Sequence, residues 1–416
     1  MRLEIVTIGS EILCGNITDT NFSYLAKRLA EEGYFVARHT SVPDEAEALT
    51  QCLQEALQRS DCILTTGGLG PTLDDHTKEV MCLFFQKTQS SNKKIRDELI
   101  ERYGPQLPSL DHQSTVPEDT HILQNKMGTA PGFLFTQHKK SCFVMPGVSL
   151  EMQHMFEEEV LPLLQKMHNP LHKKSVSTLH FCHLPENAID PYLREMHQRY
   201  PQIEYGIYPR YGTVSVELKI DKCHGKAGQD AFKECEQRLL SQFREYFFSR
   251  EDKELSLAIH QYMIKNKKTL AVAESCTGGH IAAKLVDHPG ASEYFLGGVV
   301  CYSNILKQTL LGVKPKTLEE YGAVSRETVE EMVAGCLKLS GADYVLAVSG
   351  IAGPTGGSAD KPVGTVWCGL GEKGKPPQIG KILAKARAKR ASMIEYTANF
   401  MLGVLWRKGM YDVTTL

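Results

Sequence analysis

Three short stretches of hydroxyl-bearing and small residues hold the side chains of this 416-residue chain that could do chemistry. The first, Glu274-Ser275-Cys276-Thr277-Gly278-Gly279, ends an apolar run from Leu270 to Ala273, just before a helical pattern opens at His280. The second, Tyr302-Ser303-Asn304, follows Val299-Val300-Cys301, and Lys307 lies on the next turn. The third, Ser349-Gly350-Ile351-Ala352-Gly353-Pro354, closes the apolar segment Tyr344 to Val348. No Ser-His-Asp ordering is present, and neither His280 nor His288 falls inside a hydroxyl cluster. A lysine can replace histidine as the base when desolvation lowers its pKa, with a serine as nucleophile and a tyrosine to orient the lysine or pass a proton. Ser275 and Ser292, the latter in Pro289-Gly290-Ala291-Ser292-Glu293, compete for the nucleophile's role, and their spacing does not choose between them. Each residue also has an ordinary use: Ser275 as a helix cap, Ser292 in a turn, Lys307 as a solvated lysine. Their conjunction is what points to acyl transfer. The glycine turn after Ser275 is expected to aim backbone N–H groups at a ligand.

These groups need strands and helices to hold them, and the chain is too long for one ordinary domain. Leu3 to Ile8, Tyr34 to His39 and Cys62 to Thr65 read as strands separated by helices, a βαβαβ alternation that argues a doubly wound parallel sheet. The third strand runs into Thr66-Gly67-Gly68-Leu69-Gly70-Pro71-Thr72-Leu73-Asp74-Asp75. The glycines let backbone approach a phosphate closely, and two aspartates make sense there if a divalent cation intervenes; otherwise they favour a helix start. Lys166 to Lys174 reads as a linker. A βαββα unit follows, in which Gly225-Lys226-Ala227-Gly228 matches the RNA-gripping GXXG pattern but lies between a strand and a helix, so a plain turn is expected. The last region alternates again and finishes in a helix from Ala391 to Trp406. Three small-residue loops at the ends of its strands suggest one pocket for a small polar ligand.

Composition narrows the class. Hydrophobic content of 42% and charged content of 23% are those of a soluble globular protein, and a net charge of -2 gives no reason to expect nucleic acid or an anionic membrane. No apolar run approaches the roughly 18 residues of a membrane span, and the start of the chain has no signal-peptide pattern. Twelve cysteines without a CxxC pair read as reduced thiols in a cytoplasmic protein, with no zinc site.

The motifs resemble those of the CinA family. Gly9-Ser10-Glu11-Ile12-Leu13, Asp19-Thr20-Asn21, the Gly67 to Asp75 run, Gly128-Thr129-Ala130-Pro131-Gly132-Phe133 and Val144-Met145-Pro146-Gly147 are similar to its molybdopterin-binding-like domain. That resemblance implies a metal-dependent pyrophosphatase acting on ADP-ribose, with magnesium, manganese or cobalt. Gly67, Gly68, Gly70 and Thr72 would form the diphosphate loop, and Asp74, Asp75, Asp44 and Glu11 would be metal candidates, although the family commonly has Asp where Ser10 stands here. The C-terminal motifs are similar to the family's nicotinamide-nucleotide amidase domain, which needs no cofactor and hydrolyses the carboxamide of nicotinamide mononucleotide. Matched motif to motif, Ser292 falls on the nucleophile, Tyr302 on the tyrosine and Lys307 on the lysine. Ser275, Thr277, Gly278, Gly279, Ser303, Asn304, Gly350, Ala352 and Gly353 would line the pocket. Arg390 is the candidate for the phosphate. The family's Gly-Asp before that arginine is Ala388-Lys389 here, its second arginine is Ile394, and the run from Lys381 to Arg390 is unusually basic.

The resemblance therefore implies three parts: a molybdopterin-binding-like domain over 1–165, a small KH-like hinge or dimerisation module over 172–250, and an α/β amidase domain over 252–416. A homodimer acting on small nucleotides is implied, without nucleic acid or membrane. Two other readings stand beside it. The altered Ala388-Lys389-Arg390 segment could leave a nucleotide sensor or scaffold without turnover, and the Gly67 to Gly70 loop could serve molybdopterin handling.

Overall fold

Apolar strands that alternate with amphipathic helices can be covered on both faces, and the computed structural model has that layered build around its central strands; it describes residues 1–72, 75–168, 174–251, 254–383 and 389–414. Contacts divide the described chain into two units, Met1–Lys174 with Asp221–Cys223, and Ser175–Ile220 with His224–Leu416.

In the first unit the strands are β1 (Leu3–Ile8), β2 (Val36–Val42), β3 (Cys62–Thr66), a short pair β4 (Gln89–Ser91) and β5 (Thr115–Pro117), then β6 (His121–Leu123), β7 (Gly132–Gln137) and β8 (Lys140–Met145). The main sheet runs β2-β1-β3-β8-β7-β6, with β2, β1, β3 and β8 parallel and β7 and β6 antiparallel. Leu3 and Ile5 pack into the core on one face and Val6 and Ile8 into the core on the other, the period-two alternation of a covered strand. Glu4, fully buried in β1, is held by Arg59 at 2.7 and 3.0 Å, Ser60 Oγ at 3.1 Å and Thr40 Oγ1 at 3.2 Å.

The second unit opens with the expected βαββα module: β9 (Lys174–Cys182), the helix Glu186–Arg199, β10 (Glu204–Arg210), β11 (Thr213–Asp221) and the helix Gly225–Gln242. With β12 (Phe247–Ser249) it forms a sheet of order β10-β11-β9-β12 over its own core, which includes Leu179, Ile189, Val216 and Leu239. Gly225 to Gly228 form the first turn of the second helix. The third sheet, order β14-β13-β15-β16-β17, is built from β13 (Leu270–Glu274), β14 (Phe295–Val300), β15 (Tyr344–Gly350), β16 (Thr365–Glu372) and β17 (Gln378–Leu383). β14, β13 and β15 are parallel and the last two strands antiparallel. Helices cover both faces: Leu270 and Val272 meet the helices Leu255–Asn266 and Arg390–Tyr411, while Ala271 and Ala273 meet the helix Arg326–Ser340. Among the described residues no helix is long and apolar enough to cross a membrane.

The βαββα module docks on the helix Arg390–Tyr411. His183 donates from Nε2 to Phe400 O at 2.7 Å and stacks on the Phe400 ring at 4.2 Å. Trp406 Nε1 donates to Phe247 O at 2.9 Å, and Arg407 pairs with Glu245 at 2.9 Å. Burial pushes the His183 imidazole down to about 4, so at neutral pH the ring is uncharged. An unfolded histidine titrates near 6.5, so the unfolded chain binds the extra proton first on acidification. The stability contributed by neutral His183 is complete above about pH 6.5 and is lost as pH falls towards 4, about 3 kcal/mol at most. Denaturant midpoints taken from pH 7 to pH 4 are expected to fall for the native chain and to fall less for His183→Gln; equal slopes would show that His183 does not carry the acid sensitivity.

Candidate active site

Because β13, β14 and β15 are parallel, the loops after all three emerge at one edge of the sheet, outside the carboxyl ends where open α/β sheets bind ligands. The loop after β14 turns into the helix Asn304–Leu311, whose N-cap Ser303 accepts from Leu306 N–H at 3.3 Å. Lys307 lies on the inner face of that helix and is 1% exposed. Its Nζ meets Ser275 Oγ at 3.0 Å, Cys301 O at 2.8 Å and Tyr302 O at 3.4 Å. No ion pair of Lys307 occurs among the described residues. Burial holds its amine below the ordinary lysine value, opposed only by the neighbouring thiols of Cys301 and Cys276. A neutral amine has two donors and one lone pair; donated to the two carbonyls, they leave the lone pair facing the Ser275 hydroxyl. Ser275 is itself 8% exposed and fixed by its N–H on Val348 O at 3.0 Å.

Glu274, the buried carboxylate next to Ser275 in the chain, is bonded to backbone N–H groups rather than to the amine. Glu274 is fully buried; its Oε2 accepts from Gly279 N at 3.1 Å and Ile281 N at 3.0 Å, and its Oε1 from Ala282 N at 2.8 Å. It thus occupies the free N–H groups at the start of the helix His280–Val286. This corrects the expectation that the glycine turn aims its N–H groups at a ligand: Gly279 donates to Glu274, Gly278 to Ser275 O and His280 to Thr277 O. Gly278 and Gly279 are needed for the turn itself, with φ of +61° and +101°. Thr277 is 4% exposed, and its Oγ1 is buried without a hydrogen-bond partner among the described residues.

Ser292 is not brought to this edge. It lies exposed in the turn Ala291–Glu293 before β14, whereas Tyr302 and Lys307 follow the other end of that strand. The 6 residues of β14 put roughly 20 Å between them at about 3.3 Å per residue. Tyr302 also differs from expectation: its carbonyl, not its phenol, faces Lys307, and its hydroxyl accepts from Arg390 Nη2 at 2.8 Å. Arg390 Nη1 donates to Gly353 O at 2.9 Å, which joins the second and third loops. Gly350 still pairs with Val366 in the ladder, while Ala352 is buried and Gly353 takes φ of +79°. Ser303 is spent as a cap, and Asn304 is exposed at the helix start. Ala388, with Lys385 and Arg387, lies outside the described residues. Motif reasoning did not single out His280 or Glu395 as partners, yet they bond at 2.6 Å across 115 positions, a pairing with no signal in the local sequence.

In the first unit the predicted metal candidates are used locally. Asp44 Oδ2 accepts from Ser10 N at 2.7 Å, and Asp75 Oδ2 accepts from Thr72 N at 3.0 Å. The Glu11 carboxylate folds over Gly9, where a Cβ would come within 2.6 Å of it. Asp74 lies outside the described residues. Among those described, no group of three His, Cys, Asp or Glu side chains could hold a metal ion. Gly67 and Gly68 take φ of +118° and +65°, and a Cβ on Gly67 would meet Ile8 O at 2.1 Å, so that glycine is fixed by close packing of the β1 and β3 loops. Gly70 is held near the Asp75 carboxylate, 2.3 Å from its Cβ position.

The N–H groups that Glu274 satisfies make a direct test. Glu274→Gln sets an NH2 group against one of these donors, and the unfolding free energy of the C-terminal unit is expected to drop by about 2–3 kcal/mol. A denaturation midpoint unchanged from the native chain would show that the carboxylate does not hold this turn.

Residues 252–408 match the family model of the CinA C-terminal domain, and residues 4–166 that of the probable molybdopterin binding domain. The chain is 40% identical over 378 residues to a relative from Thermoanaerobacter pseudethanolicus named for competence and damage induction, covering 89% of this chain and 90% of the relative. It is 36% identical over 379 residues to a CinA-like protein of Kosmotoga olearia, covering 90% of this chain and 92% of that protein. The crystal structure of competence/damage inducible protein CihA from Agrobacterium tumefaciens is 37% identical, covers 36% of this chain and 92% of that one, and superposes with a TM-score of 0.36. With identity of this degree running along about nine-tenths of both chains, and with both domain models matched in order, this protein belongs to the CinA family.

Proposed function

We propose that the C-terminal domain is a serine–lysine amidase that hydrolyses the carboxamide of nicotinamide mononucleotide to nicotinate mononucleotide and ammonia. The observation that carries the reaction type is a buried lysine amine with no acidic partner among the described residues, 3.0 Å from a serine hydroxyl at the carboxyl edge of a parallel sheet. The substrate class rests on the family's motifs in residues 274–279, 302–307 and 349–357.

In this reading Ser275 Oγ attacks the carboxamide carbon as its proton passes to the lone pair of Lys307. The tetrahedral intermediate collapses with cleavage of the C–N bond, and Lys307 returns the proton to the departing amine, which leaves as ammonia. Water then attacks the Ser275 ester; Lys307 takes its proton and gives it to Oγ as the nicotinate is released. The two carbonyls that accept from Lys307 hold the amine, and after proton uptake the ammonium, beside Ser275 Oγ. Thr277 Oγ1, buried and without a partner among the described residues, is the side-chain donor we assign to the oxyanion or the amide. Arg390 is exposed, has no carboxylate partner among the described residues, and keeps guanidinium N–H groups beyond the two used on Gly353 and Tyr302. As the first residue of a 22-residue helix it also has the favourable end of the helix dipole behind it, which suits a nucleotide phosphate. Asp74 lies outside the described residues, and the proposal is confined to the C-terminal domain.

Ammonia release from nicotinamide mononucleotide decides the assignment. Ser275→Ala and Lys307→Arg are each expected to lower kcat/KM at least about 10³-fold, because arginine cannot lose its proton, while Ser292→Ala stays within about twofold of the native chain. The base must be neutral, so the rate is expected to fall as pH drops through the lowered Lys307 pKa and to level off above it. Full activity in Ser275→Ala would reject the nucleophile.

A further inference from the structure

One helix, Arg390–Tyr411, touches two loops of the candidate site and the helix that follows the Ser275 loop. Its first residue reaches Gly353 O and Tyr302 Oη at 2.9 and 2.8 Å. Just over one turn on, Glu395 accepts from His280 Nε2 at 2.6 Å and from Lys284 Nζ at 2.7 Å, gripping the helix that follows Ser275.

The same turns are also held by the hairpin that joins β10 to β11 in the βαββα module. Ser392 Oγ donates to Tyr211 Oη at 2.9 Å, and Asn399 Nδ2 donates to Tyr211 O at 2.7 Å. Asn399 Nδ2 also donates to Glu395 Oε1 at 3.0 Å, so one amide spans hairpin and carboxylate. Gly212, with φ of +80°, lets the hairpin lie against the helix; a Cβ there would come within 3.1 Å of Asn399 Cβ and 3.3 Å of Tyr396 O. The module is also docked through His183 on Phe400, the residue after Asn399, and through Trp406 on Phe247 about two turns further along, whereas Ser392 lies about two turns before Phe400. Contacts made only for attachment would not have to extend to the turns that carry Arg390 and Glu395.

We infer that the tip of this hairpin, through Tyr211 and Gly212, is a positioning element for the phosphate end of the substrate: it sets the first turns of the helix and thereby where the Arg390 guanidinium stands. The inference rests on the amidase reading for its substrate. Tyr211 and Asn399 act through Arg390 and touch no reacting atom. Loosening the hairpin shifts a phosphate contact and leaves the Ser275–Lys307 pair, held by β13 and the helix Asn304–Leu311, in place. The effect belongs in substrate affinity rather than in turnover.

The test uses the full chain, with Asn399→Ala and Tyr211→Phe as variants. Nicotinamide mononucleotide and nicotinamide riboside, which lacks the phosphate, are titrated calorimetrically, and ammonia release is followed in parallel. Asn399→Ala is expected to raise Kd and KM for the mononucleotide about tenfold with kcat within twofold, and to leave riboside affinity unchanged. Tyr211→Phe, which keeps the backbone acceptor, is expected to show the same split more weakly, and it serves if Asn399→Ala does not fold. Unchanged mononucleotide affinity in the folded variants overturns the proposal. So does equal weakening of both ligands with a lowered unfolding midpoint, which is what a merely structural contact would give. Mononucleotide binding by the native chain without ammonia release would reject the amidase reading, while the affinity comparison still decides this one. No binding by the native chain rejects both.

Discussion

A lysine amine kept out of water, with no carboxylate partner among the described residues, is the constraint on which the candidate site depends. Removing an ammonium from solvent is costly, and the cost is relieved either by pairing the charge or by giving up the proton. At Lys307 the surroundings are two backbone carbonyls and one hydroxyl, and burial holds the amine below its ordinary range. The carboxylate that could have paired with it, Glu274, is committed to three N–H groups at a helix start. That one arrangement satisfies the turn and leaves the amine beside a hydroxyl rather than a carboxylate.

Lys78 in the first unit shows what burial without this geometry amounts to. It too is buried, and burial lowers its pKa, yet its Nζ meets the carbonyls of His112 at 2.6 Å and Thr115 at 3.2 Å. No side-chain hydroxyl is among these contacts. The same residue type in a similar dielectric ties two segments together there. The difference lies in what the lone pair can face, and that is fixed by which loops a parallel sheet brings to one edge.

The acidic residues of the first unit make a related point. Asp44 and Asp75 each accept a backbone N–H from a residue close by in space, a common use of a carboxylate in a loop. Residue types that could bind a metal need convergence to do so, and convergence is a property of the fold rather than of a motif.

Much of the architecture could be read from residue order. The period-two burial of β1 and β13, the glycine turns at Gly67 and Gly278, the βαββα module and the final helix all follow from local pattern, since strand faces and positive φ are local requirements. The conjunction of Ser275, Lys307 and Tyr302 was legible as well, because all three sit at strand ends. What the order of residues left open was the choice between two serines: motif matching favoured Ser292, whereas the fold brings Ser275 to Lys307. A parallel strand carries its two ends to opposite edges of a sheet, so β14 separates Ser292 from the lysine while β13, lying beside it, delivers Ser275 across 32 positions. The partners of Tyr302, Arg390 and His280 were hidden for the same reason. Sequence fixes which groups a strand end or helix turn presents; only the pairing of distant elements decides which of those groups meet.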